Sequence, residues 1–253
     1  HIHLLSMAKR IVPDRRLSSF TSEELLGLIG GATLKKKAKG KALPLGQSCR
    51  KAIFELVKGA FRKAIADEKF TANPLEGYTP GQVPKKKRKL PTRDQIDKIV
   101  AAVIDEYPRS GKRAALTIRF LAFSGLRRSE AASLMWPAVS EGEIEIDGTK
   151  TEGADRTLQI GPALQGVMDE ITAVYGKTGR VVPLKCVRGH LKLACAKLGL
   201  QKLTNHDLRA WFVTYALQQG ADVPTVADWI GDSPTVVLSR YTSIMDGHKK
   251  TAA

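Results

Sequence analysis

Between residues 73 and 91 the chain reads NPLEGYTPGQVPKKKRKLP, with four prolines, two glycines and five consecutive basic residues, Lys85 to Lys89. Proline withholds a backbone donor and fixes φ, so neither a helix nor a central strand can run through such a stretch. The chain must therefore fold as separate units on either side. The predicted layout is a small basic helical domain over residues 1–80, a basic linker over 81–91 and a larger domain over 92–253. The 253 residues suffice for two hydrophobic cores, and 43% hydrophobic with 26% charged residues is the composition of a folded globular protein. Because it begins with His1 rather than methionine, the chain is expected to be a fragment or a processed form, which leaves room for an upstream domain.

The first unit reads as helices. Thr21 and Glu24 are spaced as a capping box ahead of the apolar stripe Leu25, Leu26, Leu28 and Ile29, which Gly30 and Gly31 end. A longer helix is predicted from Gln47 to Glu68, burying Ile53, Phe54, Val57, Phe61 and Ile65 and exposing Lys51, Lys58, Arg62 and Lys63. The second unit opens on a second capping box, Thr92 with Gln95, followed by an apolar face of Ile96, Ile99, Val100, Val103, Ile104 and Tyr107. A helix over Arg113–Phe123 comes next. The period then changes: Ile144 and Ile146 alternate with acids, and Leu158 alternates with Ile160, which predicts a β-hairpin or three-stranded sheet. Helices return over 162–175 and 188–198. The fold class is mainly α with this small sheet.

Charge is distributed unevenly. Residues 1–90 carry 20 basic and 7 acidic side chains, net +13, against 21 and 18, net +3, in the remainder. A polyanion is the expected partner, gripped mainly through the amino-terminal part; charge alone does not separate nucleic acid from an anionic membrane. No apolar run is long enough to span a membrane, and no signal-peptide pattern begins the chain. Cys49, Cys186 and Cys195 form no CxxC pair, which argues against a disulfide scaffold and for a reducing compartment, and they are expected to be packing residues. His1, His3, His190 and His248 show no metal-ligand spacing.

Chemistry concentrates in the second unit. In TNHDLRAWFVTYALQQG a helix is predicted with His206, Arg209 and Val213 on one side and Leu208, Trp211, Phe212 and Tyr215 on the other, leaving His206 and Arg209 on an exposed, anion-facing surface. An isolated HxxR fits a capped surface helix equally well. Downstream, Asp222 and Pro224 start a helix burying Val226, Trp229 and Ile230, and after Gly231 a further start at Ser233–Pro234 leads to Tyr241. A phenol, two separated arginines, a hairpin lysine and a histidine form a candidate constellation for attack on a phosphodiester.

With these motifs in this order, the chain resembles the tyrosine recombinases, the phage-type DNA integrases and their relatives. SGLRRSE looks like the family's first-arginine motif and assigns Arg127, with Glu130 in the accompanying acidic position. GTKTEGADR supplies the hairpin lysine, Lys150; the HxxR helix supplies His206 and Arg209; and Tyr241 matches the terminal nucleophile. The resemblance implies a C-shaped two-domain DNA clamp, with residues 1–80 as core-binding domain and 92–253 as catalytic domain. It also implies cleavage and rejoining of duplex DNA at recombination sites through a 3′-phosphotyrosyl bond. The protein would be a monomer in solution and a homotetramer during synapsis. In that scheme Arg127 and Arg209 stabilise phosphate charge, Lys150 protonates the leaving 5′ oxygen and His206 assists proton transfer or holds phosphate. Glu130 supports their geometry, and no metal or other cofactor is required.

One position departs from the pattern. Where relatives place a histidine or tryptophan nine residues before the tyrosine, this chain has Asp232, whose carboxylate would repel phosphate. It is expected to turn away, to cap the Ser233–Pro234 helix, or to mark impaired chemistry. Glu130 and Asp232 are thus candidate modulators, and a binding-only relative and a type IB topoisomerase-like enzyme are the alternative readings. Candidate DNA contacts are Lys35, Lys36 and Lys37, which a solvated loop explains nearly as well, together with Lys51, Lys58, Arg62 and Lys63 of the long helix. The linker residues Lys85, Lys86, Lys87, Arg88 and Lys89 complete the set. PKKKRK at 84–89 also resembles a nuclear-import signal; a phosphate-crossing linker in a cytoplasmic, DNA-associated protein is the favoured reading.

Overall fold

The structure is a computed structural model, and it describes residues 2–33, 44–81, 89–147 and 155–239. The chain divides into two compact units, His1–Lys87 and Arg88–Ala253. In the first, α1 (Ile2–Ile11) and α2 (Ser22–Gly31) pack on the long α3 (Gln47–Ala66). Only half of the expected box at α2 forms: the Thr21 side chain accepts from the Glu24 N–H at 3.2 Å. Leu25, Ile53, Phe61 and Leu75 are fully buried and centre this core. Removing each such side chain from water stabilises the unit by about 1.5–3 kcal/mol.

Lys58 corrects the expectation of an exposed basic stripe, because it is buried on α3. Its ammonium donates to the Tyr78 carbonyl at 3.2 Å and lies 3.8 Å from Glu76. Asn73 donates to the Lys58 carbonyl at 3.2 Å, and Ser22 donates to the Pro74 carbonyl. The segment after α3 therefore folds back across the helix and covers the lysine.

In the second unit, α4 (Arg93–Glu106) begins at a complete Thr92–Gln95 capping box. Its Ile96, Ile99 and Val103 are fully buried, whereas Ile104, expected on that face, is exposed. One residue beyond Val103 turns the helix by about 100°, which carries Ile104 off the stripe. The central helix α5 (Gly111–Ser124) buries 11 of its 14 residues and contacts α4, α7 and α9. After the short α6 (Arg128–Ser133), strands β1 (Val139–Ser140), β2 (Glu143–Ile146) and β3 (Arg156–Gln159) form an antiparallel sheet in the order β1–β2–β3. Ile144 faces Leu158 across the β2–β3 pair, and both are buried.

The remaining helices are α7 (Pro162–Tyr175), α8 (Arg188–Lys197), α9 (Asn205–Gln218) and α10 (Val223–Ile230). A helical turn follows over 234–239, where the Val236 N–H meets the Ser233 hydroxyl at 3.3 Å. Helix α9 differs from the two-faced pattern expected of it. Arg209 and Val213 are as buried as Leu208 and Trp211, because α5 and α10 cover the side that was expected to face solvent. Trp229 on α10 is only half-buried. No helix among the described residues is long and apolar enough to cross a membrane.

Candidate active site

Three backbone punctuation points build the site. Helix α5 ends at Gly125, whose φ of 64° turns the chain so that Leu126 buries and Arg127 opens α6. Glu130 then reaches back, and its Oε2 accepts from the Arg127 N–H at 2.8 Å. The second point is Thr204, which with Asp207 forms a capping box at the start of α9. That box sets His206 on the exposed first turn and Arg209 one turn deeper, 3% exposed. The third is Gly231, at φ 60° past the end of α10. Its N–H bonds to the Asp228 carbonyl at 2.9 Å, and the Asp232 N–H bonds to the Ala227 carbonyl at 3.0 Å. These two bonds close the helix by a left-handed turn.

The end of α10 is where the arginines meet. Arg156 donates from Nε to the Trp229 carbonyl at 2.9 Å, Arg209 donates from Nη2 to the Ile230 carbonyl, and Arg127 donates from Nη2 to the Gly231 carbonyl at 2.9 Å. Last-turn carbonyls carry the negative end of the helix dipole, so guanidinium groups are favoured there. Arg209 also donates from Nη1 to the Gly125 carbonyl at 2.9 Å, tying the end of α5 to that of α10.

Two carboxylates are interleaved with these cations. Glu130, 4% exposed, accepts from Arg127 Nη1 at 2.8 Å and from Arg156 Nη2 at 2.9 Å. Asp232 neither turns away nor caps the following helix: its Oδ1 accepts from Arg127 Nη2 at 2.8 Å and its Oδ2 from Arg209 Nη2 at 3.0 Å. The expectation of repulsion presumed phosphate already in place; without it, the two positive charges attract the carboxylate. The three arginines and two carboxylates leave a net charge of about +1.

These contacts shape the titrations. Burial pushes the Glu130 carboxyl up, but hydrogen bonds from Arg156 and Arg127 outweigh it and hold the group below the usual carboxylate value. Burial lowers Arg209, with Arg127 adding to the effect and Asp232 opposing it. Burial also opposes the charge of Arg127, yet Glu130 and Asp232 prevail and raise it. Both guanidinium groups stay charged at physiological pH.

Arg127, His206 and Arg209 line one open cleft of about 500 Å³, along with Arg128, Arg188 and Asn205. The Asn205 side-chain amide nitrogen is buried there with no hydrogen-bond partner among the described residues. Lys150 and Tyr241 lie outside the described residues, as do Lys35, Lys36, Lys37, Lys85, Lys86, Lys87 and Arg88. Lys51, Arg62, Lys63 and Lys89 are exposed. Cys195 is buried, as a packing residue should be, and burial raises its thiol; Cys49 and Cys186 are exposed instead, and Cys186 borders the cleft. His190 stands apart, 3.0 Å from the Ser110 hydroxyl, its ring tilted at 55° to that of Tyr107.

Arg156 is the residue that the sequence reading missed, although a signal existed. It shares strand parity with buried Leu158, so its side chain had to enter the interior and find an acid there. It does so at 5% side-chain exposure against Glu130.

The sequence model of the phage integrase family matches residues 90–248, and the chain belongs to that family, the tyrosine recombinases. The tyrosine recombinase XerC of Rhodospirillum centenum is 29% identical over 183 residues, covering 65% of this chain and 54% of that protein, so the chain spans about half of its relative's length. Among solved structures, a lambda integrase dimer bound to a COC′ core site superposes with a TM-score of 0.76 at 20% identity, over 94% of this chain and 86% of that one. A lambda integrase tetramer bound to a Holliday junction superposes with a TM-score of 0.72 at 20% identity, over 92% and 68%. At that identity the likeness shows the shared fold: mostly helical, with a small antiparallel sheet, in two domains.

Proposed function

We propose that this protein cleaves and rejoins duplex DNA at specific sites through a covalent 3′-phosphotyrosyl intermediate. The observation that carries the proposal is the convergence of Arg127 and Arg209, from different helices, on one anion seat, both arginines also lining a cleft with His206. Two fixed guanidinium forks can hold both non-bridging oxygens of a phosphodiester and stabilise the charge that grows on them during attack.

Tyr241 is assigned as nucleophile: its phenol gives up its proton to His206 or to water as its oxygen bonds to phosphorus, the bond to the 5′ oxygen breaks, and Lys150 gives that oxygen its proton. His206 takes part in proton transfer or holds phosphate, and Glu130 positions Arg127. The phosphotyrosyl bond keeps the energy of the broken link, so a second 5′-hydroxyl can reseal the strand. Exchange between two duplexes would then use four protomers, an arrangement that the likeness to a tetrameric integrase supports. Residues 1–80 serve as the core-binding domain, 81–91 as the linker and 92–253 as the catalytic domain.

The test is covalent capture on nicked duplexes with randomised core sequences, read on a denaturing gel. The wild-type chain is expected to form an adduct with a selected subset of sequences, and Tyr241→Phe to form none while keeping duplex affinity. An equal adduct from the phenylalanine variant would remove Tyr241 from the reaction. Asp232 in the anion seat favours a second reading, a DNA-binding relative without cleavage, for which neither protein would form an adduct.

A further inference from the structure

The two guanidinium groups that would receive phosphate are joined by the protein's own carboxylate. Asp232 places one oxygen on each, 2.8 Å from Arg127 Nη2 and 3.0 Å from Arg209 Nη2. A phosphodiester offers the same thing: two anionic oxygens on one central atom, able to accept from two forks at once. The backbone that carries Asp232 is held independently of this contact, by its N–H to the Ala227 carbonyl and by the left-handed turn at Gly231. The side chain is 20% exposed and opens to solvent, unlike Glu130 at 2%. A rotation about its own χ1 can therefore vacate the seat without unwinding α10.

From this geometry we infer that Asp232 is a resident competitor for the phosphate seat, a specificity-determining carboxylate that an incoming phosphodiester must displace. The inference rests on the reading that Arg127 and Arg209 receive phosphate, but not on whether cleavage follows. Glu130 is already committed to Arg127 and Arg156, so Asp232 is the carboxylate positioned to exchange. With it in place the cluster offers about one net positive charge; with it displaced, two.

The competition selects among ligands. A free phosphate ion must displace Asp232 using only its contacts in the seat. A backbone phosphate of DNA already held elsewhere on the protein competes at a high effective concentration and displaces it more readily.

The probe is inorganic phosphate, titrated into the full chain, with two readouts: the carboxylate-carbon NMR signal of Asp232 in the wild-type protein, and calorimetric affinity for wild type, Asp232→Asn and Asp232→Glu. Phosphate is expected to move the Asp232 signal saturably. Asp232→Asn should bind phosphate about tenfold tighter than wild type, the order expected when a charge-assisted contact no longer has to be broken. Asp232→Glu, which retains the charge, should stay within about threefold of wild type. An Asp232 signal that stays fixed while phosphate binds would overturn the inference, as would equal affinities of wild type and Asp232→Asn, or an absence of phosphate binding by either. The wild-type signal decides the matter even if a variant folds poorly. If phosphate displaces Asp232 but covalent capture fails on every DNA, the competitor stands and the cleavage proposal falls.

Discussion

Glu130 is the carboxylate on which the arginine cluster rests, since it bonds to both Arg127 and Arg156 from inside the protein. Its folded-state pKa lies below the ordinary 4.5, with burial opposing and hydrogen bonds from the two arginines prevailing. The linked stability is therefore fully present above about pH 4.5 and is lost as pH falls through the lower folded value. Glu130→Gln keeps the shape but leaves Arg156, 5% exposed, without its counter-charge. It is expected to lower stability at pH 7 by about 3–5 kcal/mol, the usual result of breaking a buried pair from one side, and to flatten the acid limb. Urea denaturation from pH 7 to pH 3 checks both parts. An unchanged acid limb would assign that limb to other carboxylates. Asp222 also titrates below its ordinary value, through the Thr225 backbone and side chain, but it is exposed at the α10 cap and far less coupled to the core.

Among the elements, Gly125 joins α5 to the Arg127 turn and faces α9. Its φ of 64° suits glycine, and a Cβ built there would lie 2.3 Å from Phe212 Cδ1. Gly125→Ala adds left-handed strain to overpacking and is expected to cost about 2–5 kcal/mol in chemical denaturation. Gly220→Ala shares a positive φ, at 94°, but meets nothing within 4 Å, so it should cost clearly less. Equal losses would show that conformation, not the Phe212 contact, sets the penalty. Such junctions explain what the sequence could reveal. Helix starts were legible where a capping signal acts over three residues, as in the Thr92–Gln95 box and at Asp222, whose side chain accepts from the Thr225 N–H. The sheet was legible because Ile144, Ile146 and Leu158 alternate with polar neighbours. The burial of Arg209 was not legible, because it depends on the ends of α5 and α10, whose Gly125 and Ile230 carbonyls accept from its guanidinium, closing over that side of α9. Nor was that of Lys58, which depends on residues 73–78 folding back over α3. The candidate residues Arg127, Glu130, His206 and Arg209 were proposed from motif order, whereas the contacts of Asp232 required three distant segments to be seen together.

Over the whole molecule, the excess of positive charge before residue 91 becomes a prediction only after the buried lysine is set aside. Lys51, Arg62 and Lys63 lie exposed on α3, whereas Lys58 is covered and already engaged with Tyr78 and Glu76. Lys63 also pairs with Asp67 at 3.3 Å, but an exposed i,i+4 pair is weak enough to yield to a phosphate. Each phosphate contact releases condensed counterions, which steepens the fall of affinity with salt by about 0.9 logarithmic unit per contact on B-form DNA. Replacing Lys51, Arg62 and Lys63 together by Gln is therefore expected to weaken binding to a mixed-sequence duplex and to reduce the slope of log K against log salt by up to about 2.7. All three side chains are exposed, so the fold should be preserved, and circular dichroism with a thermal melt verifies that. Fluorescence anisotropy at four or five salt concentrations gives the slope. A slope equal to that of the wild type would take α3 out of the DNA interface. It would leave the amino-terminal charge to act through other cations, the exposed Lys9, Arg10, Arg15, Arg16 and Lys69 or the sequence runs Lys35 to Lys37 and Lys85 to Lys89, each of which could be replaced in the same assay.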